Sequence, residues 1–212
     1  TIPGGLVPAS QVIMDPAVGE YSHSLELSNG NYVWGSGQYG AYGNSNVING
    51  SIRVLDSTGT VVRTISMPSQ ITTAPSTLVD TGGMDTISFA ANPNGFAIAY
   101  RLNTNIYLAL YDNSGVLQNT STVATPVVTT LGSATGGNVG GIHALTYSPD
   151  TGNYVVAYVA SNGIYTQEVQ ANSTAVGTAT RVSDTLTSIS AYGGIDISTL
   201  ANGHLAVSWN QT

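Results

Sequence analysis

A chain made of copies of one supersecondary unit folds as an array of that unit, and this sequence repeats. Four stretches carry an apolar-alternating run, a glycine-containing turn and a second apolar run: HSLELSNGNYVWG, DTISFAANPNGFAIAY, HALTYSPDTGNYVVAY and DISTLANGHLAVSW. Their turn glycines are Gly30, Gly95, Gly152 and Gly203, spaced 65, 57 and 51 residues apart. Three further stretches follow in the second half of the unit: GSIRVLDSTGTVVRTISM, NIYLALYDNSGVLQNTSTV and GIYTQEVQANSTAVGTATRV. Each alternates Ile, Val, Leu or Tyr with polar residues on both sides of a short turn, the pattern of half-buried strands.

The turns at Asp56 to Gly59 and Asp112 to Gly115 have the chemistry of a tight reversal. Asp bonds its own backbone there, and Gly accepts positive φ. The third copy departs from this at Asn172 to Ala175. One unit therefore reads as four antiparallel strands. Gly, Pro, Asn and β-branched residues interrupt every candidate helix.

The predicted fold is all-β, a β-propeller-like array of four-stranded antiparallel blades. The alternative is a β-sandwich, which strands at this spacing also satisfy. The blades fall at residues 20–80, 82–137 and 140–191, with a half blade at 193–212 and an orphan outer strand at 5–15, in one repeat domain. The paired glycines of GGMD, GGIH and GGID mark the crossing into the second, third and last units. Unpaired sheet edges at both ends favour a longer parent protein or an assembly over an isolated monomer.

Composition narrows the partners. Net charge is −7, with four arginines and no lysine, so nucleic acid and anionic membrane are poor partners. No apolar run is long enough for membrane insertion. Cysteine is absent, which excludes disulfides, thiolate metal sites and cysteine nucleophiles. Only 7% of residues are charged, and the polar surface is rich in Asn, Ser, Thr and Gly. That balance points to a secreted or cell-surface, extracellular protein; a virion surface is the other setting that fits.

The order L-x-N-G-x-x-x-V-x-W, an apolar strand, D-x-x-G-x-x-V and a further strand is carried by Leu200 to Trp209, Asn29 to Trp34, Asp56 to Val62 and Asp112 to Leu117. It resembles the propeller-like β repeats of large secreted bacterial surface proteins, adhesins and haemolysin-type proteins among them. The resemblance runs from about Gly5 onward. It implies a secreted, multi-repeat, mostly non-catalytic protein and transfers no catalytic residue. The calcium nonapeptide that accompanies such repeats is missing, since GGNVGG lacks the repeated Asp.

Aligning the units on their first strands gives one column of His23, Asp85, His143 and Asp196. First strands line a propeller's channel, so these groups are candidates to converge at its rim on a metal ion or a polar ligand. The plainer alternative is that each bonds backbone at the start of its strand. The insertion from Gly35 to Gly50 is rich in Gly, Asn, Ser and Tyr, as adaptable recognition loops are. Tyr39 and Tyr42 are its candidate ligand-binding residues, for a glycan or a protein.

Catalysis has little material. Eight Asp and three Glu are scattered through the units with no local acid–base pair. The expectation is a non-enzymatic scaffold for adhesion or assembly, with no cofactor and no resident metal. Its expected partners are other copies or repeats of the same protein and a cell-surface glycan or protein receptor. A glycan-binding lectin and a glycoside-active enzyme are the rival classes.

Overall fold

Every alternating run in the described residues becomes a strand. The computed structural model describes residues 21–37, 51–65, 87–102, 105–124, 143–160, 163–172, 176–184 and 195–209. The first unit forms β1 (Tyr21–Glu26), β2 (Tyr32–Gly37), β3 (Ser51–Leu55) and β4 (Val61–Ile65). The second forms β5 (Ile87–Asn92), β6 (Gly95–Leu102), β7 (Asn105–Asp112) and β8 (Leu117–Ala124). The third forms β9 (His143–Ser148), β10 (Asn153–Ala160), β11 (Gly163–Gln170) and β12 (Thr180–Arg181). A two-stranded sheet, β13 (Ile195–Thr199) and β14 (Leu205–Trp209), completes the described residues.

Each unit pairs its strands in sequence order as an antiparallel meander. The third meander weakens at its outer edge. There β12 pairs over only two residues, and a lone bridge joins Val169 to Val176. The first strands of successive sheets lie against one another, β1 on β5, β5 on β9 and β9 on β13. With first strands inward and fourth strands at the far edge, the architecture is a propeller-like array of four-stranded blades.

Strand alternation decides which face packs where. In β6, Phe96, Ile98 and Tyr100 enter a core shared with Leu27, Val33, Ile52, Val54 and Ile65 of the first blade. The intervening Ala97 and Ala99 enter a second core, shared with the third blade. The sheet β5–β8 is therefore buried on both faces and cannot be half of a two-sheet sandwich. Its core strands read as continuous apolar runs because neither face meets water.

On the second strands, large side chains of one blade meet smaller ones of the blade before it. We call the face toward the preceding blade leading and the opposite face trailing. Leading faces carry aromatic pairs opposite one another in register: Phe96 on Tyr111 at 5.1 Å, Tyr100 on Tyr107 at 5.5 Å and Tyr158 on Tyr165 at 6.1 Å, all stacked. Tyr154 meets Tyr147 edge-on at 5.4 Å. Burial pushes the Tyr111 phenol up to about 12, with the neighbouring Tyr100 adding to it.

The two Asp turns close as their chemistry requires. The Asp56 carboxylate accepts the amides of Thr58 and Thr60 at 2.9 Å each and the Thr58 hydroxyl at 2.6 Å. Asp112 repeats the pattern with the Ser114 amide at 2.9 Å, its hydroxyl at 2.7 Å and the Val116 amide at 3.0 Å. At Asp56 the Thr58 hydroxyl bond leads the interactions that hold the carboxyl below its ordinary range. At Asp112 desolvation pushes upward, but the Ser114 and Val116 bonds and the charge of Arg63 together outweigh it. These internal donors account for both carboxylates as turn residues.

A carboxylate depressed in the fold stabilises it above the unfolded pKa of about 4 and loses that contribution as pH falls through the folded value. Thermal melts of Asp56→Ala/Asp112→Ala should accordingly show a smaller fall in Tm than the parent chain between about pH 7 and about pH 2. Equal falls would mean the turns carry no acid-sensitive stability.

In the second blade the turn lies elsewhere than expected. Gly95 is the first residue of β6, paired with both Asn92 and Asp112, and Pro93 and Asn94 make the reversal. Glycine is required there by proximity, because a Cβ at Gly95 would collide with the Tyr111 carbonyl.

Candidate functional site

Register separates the His/Asp column. His143 lies opposite Tyr158, whereas Asp196 lies opposite Ser208. Counted from the second strands, Ser208 matches Ala157 and Trp209 matches Tyr158. The residue equivalent to His143 is therefore Ile195, paired with Trp209, and in the second blade Ile87, paired with Tyr100. A one-residue offset reverses the face a side chain points to.

The two described side chains accordingly point apart. His143 is 2% exposed, and its Nε2 lies 3.1 Å from the Ala99 carbonyl of β6. It occupies an interblade core position held by isoleucine in the second blade and in the β13–β14 sheet. Asp196 is exposed on the trailing face of β13, where its carboxylate accepts the Ile197 amide at 2.9 Å. The structure does not bring His143 and Asp196 together, and each bonds backbone.

The backbone of His23 lies in β1 opposite Gly35. Its side chain lies outside the described residues, as do Asp85, Tyr39, Tyr42, the paired glycines before each later first strand and the orphan strand at 5–15. Among the described residues, no group of three or more His, Asp or Glu is placed to hold a metal ion.

Isoleucine fills the equivalent sites, so His143→Ile should cost no more than the bond to the Ala99 carbonyl is worth, about 0.5–1.5 kcal/mol. Urea unfolding would measure it. A much larger loss would mean the imidazole holds the seam by more than that bond.

What the described residues do bring together is a set of polar clasps between blades. The Ser28 hydroxyl donates to the Pro93 carbonyl at 2.6 Å and accepts from Asn113 Nδ2 at 3.2 Å. Asn31 Nδ2 donates to the Asn113 carbonyl at 3.0 Å, and Arg63 Nε to the Ser114 carbonyl at 3.1 Å. One seam further on, Ser88 donates to the His143 carbonyl at 3.3 Å. On the next, Thr199 donates to the Tyr147 carbonyl at 2.9 Å. Sequence reasoning missed these residues; apart from Arg63, a guanidinium within β4, their signal was a hydroxyl or amide near strand ends and turns in successive units.

One sheet face carries exposed aromatic surface. Trp34 and Arg53 are paired in register on the leading face of the first blade, and the guanidinium lies over the indole, 5.8 Å from the ring centroid. Tyr32, two residues along the same strand, is 40% exposed. The equivalent residues Phe96 and Ile98 are buried against a preceding blade.

No protein-family model matches the chain, and no curated protein sequence matches it. Among solved structures, the crystal structure of TolB from Acinetobacter baumannii superimposes with a TM-score of 0.43 at 14% identity, over 90% of this chain. The match spans 39% of that structure's length.

Proposed function

We propose that this chain is a non-catalytic scaffold region of a larger secreted or surface-exposed protein, serving adhesion or assembly. The observation that carries the reading is where the apolar residues go. Side chains of three four-stranded sheets and of the β13–β14 sheet fill the seams between sheets and make a stiff array. Interblade hydrogen bonds reinforce those seams. The likeness of the turn and strand order to repeats of secreted bacterial surface proteins supports the same assignment.

In this reading the sheets are the framework, and the segment that follows β2, residues 38–50 with Tyr39 and Tyr42, is the recognition element for a surface glycan or protein receptor. Incubating the folded chain with intact cells and, separately, with a panel of aryl glycosides tests it. Saturable cell binding without turnover is the expected result. Glycoside hydrolysis above the heat-denatured control would overturn it.

A further inference from the structure

We infer that the seam between the second and third sheets is an acid-sensitive joint, worked by the His143 imidazole, at which mild acid parts β9–β14 from β5–β8. The inference goes beyond the scaffold reading and does not depend on it.

Geometry sets the state of the ring. His143 is 2% exposed, and its Nε2 lies 3.1 Å from the Ala99 carbonyl. A carbonyl only accepts, so Nε2 carries the proton and Nδ1 is the nitrogen left to take a second one. Nδ1 is buried as well. The core of this seam sets Ala97, Ala99, Ile106 and Leu108 against Tyr154 and Tyr158. A second proton would bring a net charge into that apolar layer, which opposes it.

The side chains described on the neighbouring strands offer no carboxylate to hold the charge. On β10, which pairs with β9, the titratable residues are Tyr154 and Tyr158, and Tyr165 of β11 stacks on Tyr158. These phenols are neutral in acid, and burial first, then Tyr165, push Tyr158 further up. β5, Ile87–Asn92, has no ionisable residue. β6 contributes Tyr100, on its other face, and Arg101, a cation two positions past Ala99 that cannot offset another cation. β7 ends at Asp112, whose carboxylate is engaged within its own turn. β13 carries Asp196 on the face turned away from β9. Asp85, two residues before β5, lies outside the described residues.

The unfolded chain takes up the proton at about pH 6.5, and the folded seam excludes it until the pH is lower. Between those two values the unfolded state binds more protons. Stability is therefore complete above about pH 6.5 and is lost as pH falls through that window. The effect belongs to one seam, because the equivalent residues Ile87 and Ile195 cannot titrate. Acid loosens that joint and leaves the core of Phe96 and Ile98 against the first sheet closed.

The test is urea unfolding of the purified chain and of His143→Ile over a series of pH values, read as the ratio of their unfolding constants. Carboxylates common to both proteins cancel in that ratio. The parent's constant should rise against the variant's by up to about tenfold for each pH unit below about 6.5. Amide exchange of the two proteins at equal pH should place the excess opening in β9 and β10 rather than in β2 and β3. His143→Gln keeps a donor for the Ala99 carbonyl but cannot titrate. It should behave as His143→Ile does, and it takes that variant's place if His143→Ile fails to fold.

A ratio that stays constant with pH overturns the inference. A ratio that falls in acid also overturns it, and would show an imidazolium held by a carboxylate. Excess exchange spread evenly over all sheets would remove the seam as its seat. None of these outcomes bears on cell binding or turnover, so the scaffold reading stands or falls separately.

Discussion

Replacing Tyr154 by alanine is expected to lower the unfolding free energy by about 3–5 kcal/mol, as deletion of a fully buried aromatic ring does. The ring is 1% exposed and packs edge-on against Tyr147 in the seam between the second and third blades. Tyr154→Phe should act in the opposite direction. The phenol oxygen is buried and finds no hydrogen-bond partner among the described residues, and burial drives its pKa well above the ordinary tyrosine range. Removing an unsatisfied buried hydroxyl should return about 1–3 kcal/mol. The equivalent residue of the second blade is already phenylalanine, Phe96. Urea unfolding of the three proteins decides the matter, and a Phe variant less stable than the parent would refute the account.

Gly115→Ala should cost about 3 kcal/mol by two independent routes. Gly115 has φ +79°, where a side chain costs about 1–2 kcal/mol. Its Cβ would also lie 2.7 Å from Val54 Cγ2 and 3.0 Å from Arg63 Cδ, so the turn of the second blade would be forced off the first, for about 1–3 kcal/mol more. Gly30 supplies the control. With φ +83° and no atom within 4 Å of an added Cβ, Gly30→Ala should show the backbone cost alone. Equal losses at the two sites would mean the Val54 contact yields freely.

The meanders were legible because alternation and Asp-x-x-Gly turns are local. FAIAY and YVVAY were legible as second strands, but not as strands buried on both faces. What the sequence did not reveal was register. His143 and Asp196 each follow a Gly-Gly-Ile, so alignment on that motif makes them equivalent. The hairpins differ in length, however, with Ser148 pairing Asn153 across four residues and Leu200 bonding His204 across three. Pairing is set by cross-strand hydrogen bonds over the whole hairpin, and a shift of one residue exchanges core for solvent. The interblade clasps were illegible for a similar reason: Ser28 and Asn113 are 85 residues apart, and no local pattern announces their contact. Tyr32 and Trp34 carry no local mark of exposure, since the equivalent Phe96 and Ile98 are buried.

Burial of β5–β8 on both faces makes that sheet the party wall of two separate cores. Stability in such an array is a sum over neighbouring pairs, so each outer sheet depends on one seam and the wall depends on two. Unfolding then proceeds inward, like a zipper opened at either end. Amide hydrogens of β6 and β10, whose sheets each lie between two seams, should exchange last, and damage to the wall dissolves both cores where damage to β1–β4 dissolves one.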